Sequence, residues 1–176
     1  SDECDPVALN LGQLHALMRE PQAALTLYGK AARSAAAAHK SPAAIASLEG
    51  RAHLENGEHE LARAKFESAM QLEPSKLAHR YNVAAALYRG AKPAVDRATG
   101  KPAPRTPDEV AQAQRDIECA AGLAELPEGV SDAAAKEAAK AGLTQARRAD
   151  FLKRCAALGA ALETKLRSAA EAHAAR

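Results

Sequence analysis

Residues 50–69 read GRAHLENGEHELARAKFESA. Asn56-Gly57 divides this stretch in two, because glycine enters the left-handed C-cap conformation at little steric cost. One helix is therefore expected to end there and another to open at Glu58, with Leu61, Ala62, Lys65, Phe66, Ala69 and Met70 at helical spacing until Pro74 stops it. Gly50 leaves room where a partner helix presses close. The same landmarks stand 38 residues earlier, with Gly12, Ala24, Tyr28 and Ala31 answered by Gly50, Ala62, Phe66 and Ala69. Self-similarity at a period in the thirties marks stacked helical repeats. In the first copy Glu20-Pro21 makes the turn, Pro21 suiting a first helical position where its missing N–H costs nothing. The second helix of that copy is expected to run on through Ala35–Ala38, one added turn that lengthens it without rotating its buried face. Ser41-Pro42 then caps and starts the next helix.

A third copy follows and is interrupted. Leu77, Tyr81, Ala84, Ala85 and Tyr88 predict a first helix, but its partner is delayed by residues 90–107, which hold Gly90, Pro93, Gly100, Pro102, Pro104 and Pro107. Lys92, Arg97, Lys101 and Arg105 against Asp96 make this a basic, partly extended loop. Thr106-Pro107-Asp108-Glu109 carries an N-cap hydroxyl, proline at N1 and glutamate at N3, so a helix resumes there. Ala113, Ile117 and Ala120 repeat the spacing of Ala62, Phe66 and Ala69, and Leu126-Pro127-Glu128-Gly129 ends it. Ser131-Asp132 caps a final helical stretch to about Ala174, which Gly142 or Gly159 is placed to break. Its apolar stripe is Phe151, Cys155, Leu158, Leu162, Leu166 and Ala169. That stretch reads as a cap over the last repeat, with a partner-binding helix or coiled-coil arm as the alternative. The expected organisation is repeats over 1–130 and a helical extension over 131–176.

Composition agrees with an all-α protein. Of 176 residues 47 are alanine and none is tryptophan, so packing must come from close helix approach. No apolar run reaches the roughly 18–20 residues of a membrane span. Cys4, Cys119 and Cys155 are odd in number and widely spaced, which suits reduced thiols inside a cell. Cys119 is expected to be a buried thiol. The net charge of +2 is too small to argue for sequence-specific nucleic-acid binding. The chain starts at Ser1 with a repeat almost at once, and reads as a piece of a longer solenoid.

No catalytic constellation is legible: there is no phosphate loop, nucleophile elbow or His-Glu-x-x-His, and no cofactor or metal is expected. His53, Glu55, Glu58 and His59 gather around Asn56-Gly57, but a solvated inter-helix turn accounts for them better than a metal site. His15 and His53 hold the same position in two repeats, where packing is the expected role.

These small residues at a helix crossing, the aromatic in the second helix and the terminal proline resemble the tetratricopeptide (TPR) family. The resemblance implies a TPR-like right-handed α-solenoid of about three helix pairs, followed by long C-terminal capping helices. It also implies that the first helix of each pair lines a concave groove. The exposed groove positions would be Leu9, Asn10, Gln13 and Leu17 in the first repeat; Ser47, Leu48, Arg51, Leu54 and Glu55 in the second; and Tyr81, Asn82, Ala85, Tyr88 and Arg89 in the third. Such a face suits an extended or helical peptide of a protein partner, unless the chain's own C-terminal helix fills it. Chaperone-binding TPR modules use a basic clamp at positions that here hold Leu9, Gln13, Leu48, Ala78 and Asn82, none of them basic, so carboxylate capture is not expected.

A closer resemblance lies in LAHRYNVAAALYR at 77–89, then Val110 to Leu126, then ARRADFLKRC at 146–155. In order and spacing over about residues 48–170 these are similar to the TPR subunit of the RNA polymerase II-associated factor (Paf) complex, the Ctr-nine family. That resemblance implies a non-catalytic nuclear scaffold holding other Paf-complex subunits on elongating polymerase, linked to histone modification. A generic TPR adaptor of a cytoplasmic or organellar assembly, and the helical part of an enzyme, are the competing classes.

Overall fold

The computed structural model of the chain describes residues 6–34, 41–95, 99–140 and 142–174. Among these residues there are eight helices: α1 (Pro6–Leu17), α2 (Pro21–Ser34), α3 (Pro42–Glu55), α4 (His59–Leu72), α5 (Leu77–Ala91), α6 (Pro107–Ala124), α7 (Asp132–Lys140) and α8 (Gln145–Ala174). They pack sequentially in antiparallel pairs and end in one long helix. The expected continuation of α2 through Ala35–Ala38 lies outside the described residues. No described helix is long and apolar enough to cross a membrane.

Close packing divides the chain within α5: one compact unit ends at Ala86 and the next begins at Leu87. In the first unit α1 packs on α2, α2 on α3, and α3 on α4. The landmark residues make the contacts their spacing implies. A Cβ at Gly12 would lie 2.7 Å from the Tyr28 ring, and one at Gly50 would lie 2.6 Å from the Phe66 ring. Tyr28 and Phe66 are each 1% exposed. The missing side chain at each glycine is what lets the paired helix approach.

The turns between paired helices also match. After α3, Gly57 N–H donates to Leu54 O and Glu58 N–H to His53 O, with Gly57 at φ +81°, a Schellman termination. After α1, Arg19 N–H donates to Ala16 O and Glu20 N–H to His15 O, and Arg19 takes φ +61°. An arginine here holds the left-handed conformation that glycine holds one repeat later. Ser41 caps α3, accepting from Ala43 N–H at 3.2 Å, and Pro42 follows at the start.

In the second unit α8 packs along α6. Val110, Ala113, Ile117, Ala120 and Ala124 are buried on α6, against Phe151, Cys155, Gly159 and Leu162 buried on α8. Gly159 does not break α8. It sits where Ile117 and Gln114 approach to within 4 Å of a built Cβ, whereas Gly142 at φ +86° separates α7 from α8. The capping box at Thr106 and Glu109 is complete, Glu109 N–H donating to the hydroxyl and Thr106 N–H to the carboxylate. In the loop before it, Ala103 N–H donates to Ala94 O beside a Val95–Pro102 bridge. Arg105 folds back and donates to Gly90 O, Ala91 O and Lys92 O at 3.2, 2.7 and 2.7 Å, satisfying carbonyls that a helix end leaves open.

Cys119 corrects the expectation of a buried thiol. It is exposed, because two residues beyond Ile117 the helix has turned about 200° from the buried face. Cys155 is the buried one, and burial pushes its thiol up to about 11 against the opposing pull of Arg154.

Candidate partner-binding face

Between α1 and α3, over the edge of Tyr28, lies a hollow of about 380 Å³. Gln13, Leu17, Leu48, Arg51 and Glu55 line it, five of the residues that the sequence assigns to the groove, together with Ala16, Pro21, Tyr28 and Ala52. They converge because α1 and α3 hold the same place in successive pairs, so positions 38 apart face the same side. Leu17 stands 80% exposed at the rim. Burial raises the Tyr28 phenol, and the Arg51 guanidinium opposes that shift, which places a positive charge beside the floor of the hollow. Apolar walls with a few polar groups at the edge are the chemistry of a site for one bulky side chain of a peptide.

Other assigned positions differ from expectation. Leu9 and Leu54 are core residues, 5% and 9% exposed, where the groove reading has them facing solvent. Leu9 shares a cluster with Ala24, Tyr28, Ala31, Ile45 and Ala52, so α3 covers what a lone helix pair would leave open. Tyr88, 8% exposed, is also buried, its ring 5.3 Å from that of Phe151, with Lys92 Nζ 4.8 Å from its centroid. Asn10 and Arg89 are exposed, and Tyr81, Asn82 and Ala85 are half-buried.

Two polar arrangements go beyond the sequence reading, which grouped His53 and Glu58 at one turn without pairing them. His15 Nδ1 lies 2.6 Å from Glu20 Oε2, and His53 Nδ1 lies 2.6 Å from Glu58 Oε2. Each pair spans an inter-helix turn, and its echo at an offset of 38 was the available signal. Hydrogen bonding from His53 holds the Glu58 carboxyl below its usual range, Asn56 helping and desolvation opposing.

The second arrangement joins α3, α4 and α5. Glu73, ending α4, accepts from Lys76 Nζ at 2.8 Å, from the Ser41 hydroxyl, and from His79 Nε2 at 3.1 Å. His79 Nδ1 meets the Ser47 hydroxyl at 3.1 Å. Because a carboxylate only accepts, His79 donates through Nε2. Lys76, then Ser41, then His79 hold the Glu73 carboxyl down at about 2. Ser47, assigned to the groove, is thereby tied into this network.

No protein-family model matches the sequence, and no curated protein matches it. The class defined by the fold is an all-α protein of sequential antiparallel helix pairs ending in a long helix.

Proposed function

We propose that the chain is a non-catalytic scaffold of TPR type, its helix pairs forming a right-handed α-solenoid whose groove holds a peptide or helix of a protein partner. The observation that carries this reading is the hollow between α1 and α3, lined by Gln13, Leu17, Leu48, Arg51 and Glu55. An apolar side chain of the partner enters the hollow, and the groups at its edge set the partner's register. The test is capture of partners from a cell extract by the immobilised chain and by the variant Leu17→Glu/Arg51→Ala. Both substituted residues are exposed, so the far-UV circular dichroism should be unchanged while partner capture falls at least tenfold. Equal capture by both proteins would overturn the assignment.

Within this class we propose a Paf-complex subunit acting in the nucleus. This narrower reading rests on the sequence of 77–89 and on the order of the elements after it; the hollow serves a generic TPR adaptor equally well. Capture from nuclear extract distinguishes the two. Enrichment of transcription-elongation factors favours the Paf assignment, and recovery of chaperones or organellar proteins alone removes it.

A further inference from the structure

Of the nine prolines, two follow a hydroxyl residue, in Ser41-Pro42 and Thr106-Pro107. Proline has no N–H, so a kinase groove that offers no acceptor just past the target hydroxyl takes proline there and leaves any other residue's N–H unpaired. Both pairs fit such an enzyme by sequence, and both hydroxyls are N-caps, of α3 and of α6.

The structure separates them. Ser41 is half-buried, and its hydroxyl donates to Glu73 while accepting from Ala43 N–H, so donor and acceptor are both engaged. Thr106 is exposed. Its hydroxyl accepts from Glu109 N–H at 3.3 Å and donates to nothing among the described residues. Its backbone, at φ −68° and ψ 158°, is extended and closes a non-helical run from residue 99 in which Lys101, Pro102 and Pro104 are exposed too. An exposed, extended segment is one that an enzyme can draw into its own groove.

The neighbours of Thr106 determine what a phosphate would do there. Arg105, the preceding residue, holds the end of α5 by donating to Gly90 O, Ala91 O and Lys92 O. The adjacent carboxylates are Asp108 and Glu109, the second of which accepts from Thr106 N–H at 2.7 Å. A phosphothreonine carries a charge of about −1.5 to −2 at neutral pH and three strong acceptor oxygens. Such a group repels the Glu109 carboxylate and attracts the nearest guanidinium, with bonds roughly twice as strong as those to neutral carbonyls.

We propose that Thr106 is a phosphorylation site for a proline-directed kinase, and that its phosphate draws Arg105 off the three carbonyls, releasing the loop from the end of α5. In the transfer Thr106 Oγ1 bonds to the γ-phosphorus of a nucleoside triphosphate as the bond from that phosphorus to the β–γ bridging oxygen breaks. The nucleoside diphosphate leaves with that electron pair, and the hydroxyl proton passes to the base of the kinase. The inference is independent of the hollow between α1 and α3, which lies in the first unit.

The experiment incubates the full chain with a proline-directed serine/threonine kinase and Mg-ATP, and maps the product by mass spectrometry. One phosphate is expected, at Thr106, with none at Ser41 and none on the variant Thr106→Val. In the phosphorylated chain amide exchange at Ala103, which donates to Ala94 O across the loop, should be about tenfold faster, the equivalent of one lost hydrogen bond. Arg105→Ala should show the faster exchange before phosphorylation and no further gain after it. Modification at Ser41, or at neither residue, would overturn the proposal. So would unchanged exchange at Ala103 in the phosphorylated chain, or an equal acceleration on phosphorylating Arg105→Ala.

Discussion

Replacing Gly50 by alanine should destabilise the first compact unit, although alanine is the better helix former. The added Cβ would stand 2.6, 2.7 and 3.0 Å from three atoms of the Phe66 ring, all closer than carbon atoms pack. Phe66 is 1% exposed, so its ring has little room to retreat. Forcing a methyl group into such a core costs about 1–3 kcal/mol. Removing glycine from a helix interior returns about 1 kcal/mol. The net expectation is a loss of about 1 kcal/mol and at most about 2 kcal/mol, on the order of fivefold in the folded-to-unfolded ratio. Gly29, inside α2, provides the contrast within the same unit. Only Arg33 Nη1 approaches its built Cβ, at 3.9 Å, so Gly29→Ala should stabilise by about 0.5–1 kcal/mol. Urea unfolding followed by far-UV circular dichroism reads both. Adding Phe66→Leu to Gly50→Ala relieves the contact, and the double-mutant cycle should return a favourable coupling of about 1 kcal/mol. Gly50→Ala proving as stabilising as Gly29→Ala would refute the idea that the glycine exists for helix approach.

Arg19→Gly should stabilise by about 1 kcal/mol in thermal melts, since a non-glycine residue at φ +61° bears a steric penalty of about that size; Gly57→Ala should show the opposite sign. The Glu73 carboxyl lies at about 2 in the folded chain against an ordinary 4.5, so the unfolded chain binds more protons between those values. Its contribution is therefore full above about pH 4.5 and is lost as pH falls toward 2. The midpoint of thermal unfolding scanned over that range should have a shallower acid slope in Glu73→Gln. Arg105→Ala should cost the second unit about 2 kcal/mol, since a half-buried charged donor leaves three carbonyls. Arg105→Lys should recover little, because an ammonium lacks the planar fork. Amide exchange at Ala103, bonded to Ala94 across the loop, is the sensitive local readout.

The helix pairs were legible because their signals are local. Glycine against aromatic, Asn-Gly at a turn and proline at a first helical position each act within a few residues or one helix pair. The turn at Arg19 shows the limit: its geometry is that of Gly57, but arginine does not announce a left-handed residue. The burial of Leu9 and Leu54 was not legible either, because it depends on how neighbouring helices stack. Glu73 gathers Ser41 from 32 residues upstream and His79 from six downstream, a convergence that no spacing rule encodes. Of the candidate face, the five positions that meet at the hollow were found by counting from the repeat, and those misplaced were misplaced where packing takes over from register.

The two glycine–aromatic contacts join residues only sixteen apart along the chain. Closing a loop of that length takes well under a microsecond, and proteins dominated by such near-neighbour contacts fold quickly. Each helix hairpin can thus nucleate on its own contact, and during synthesis the first can close before the second has left the ribosome. Lengthening or duplicating one hairpin then leaves the folding step of the other untouched, which makes the number of pairs an easy quantity for evolution to change.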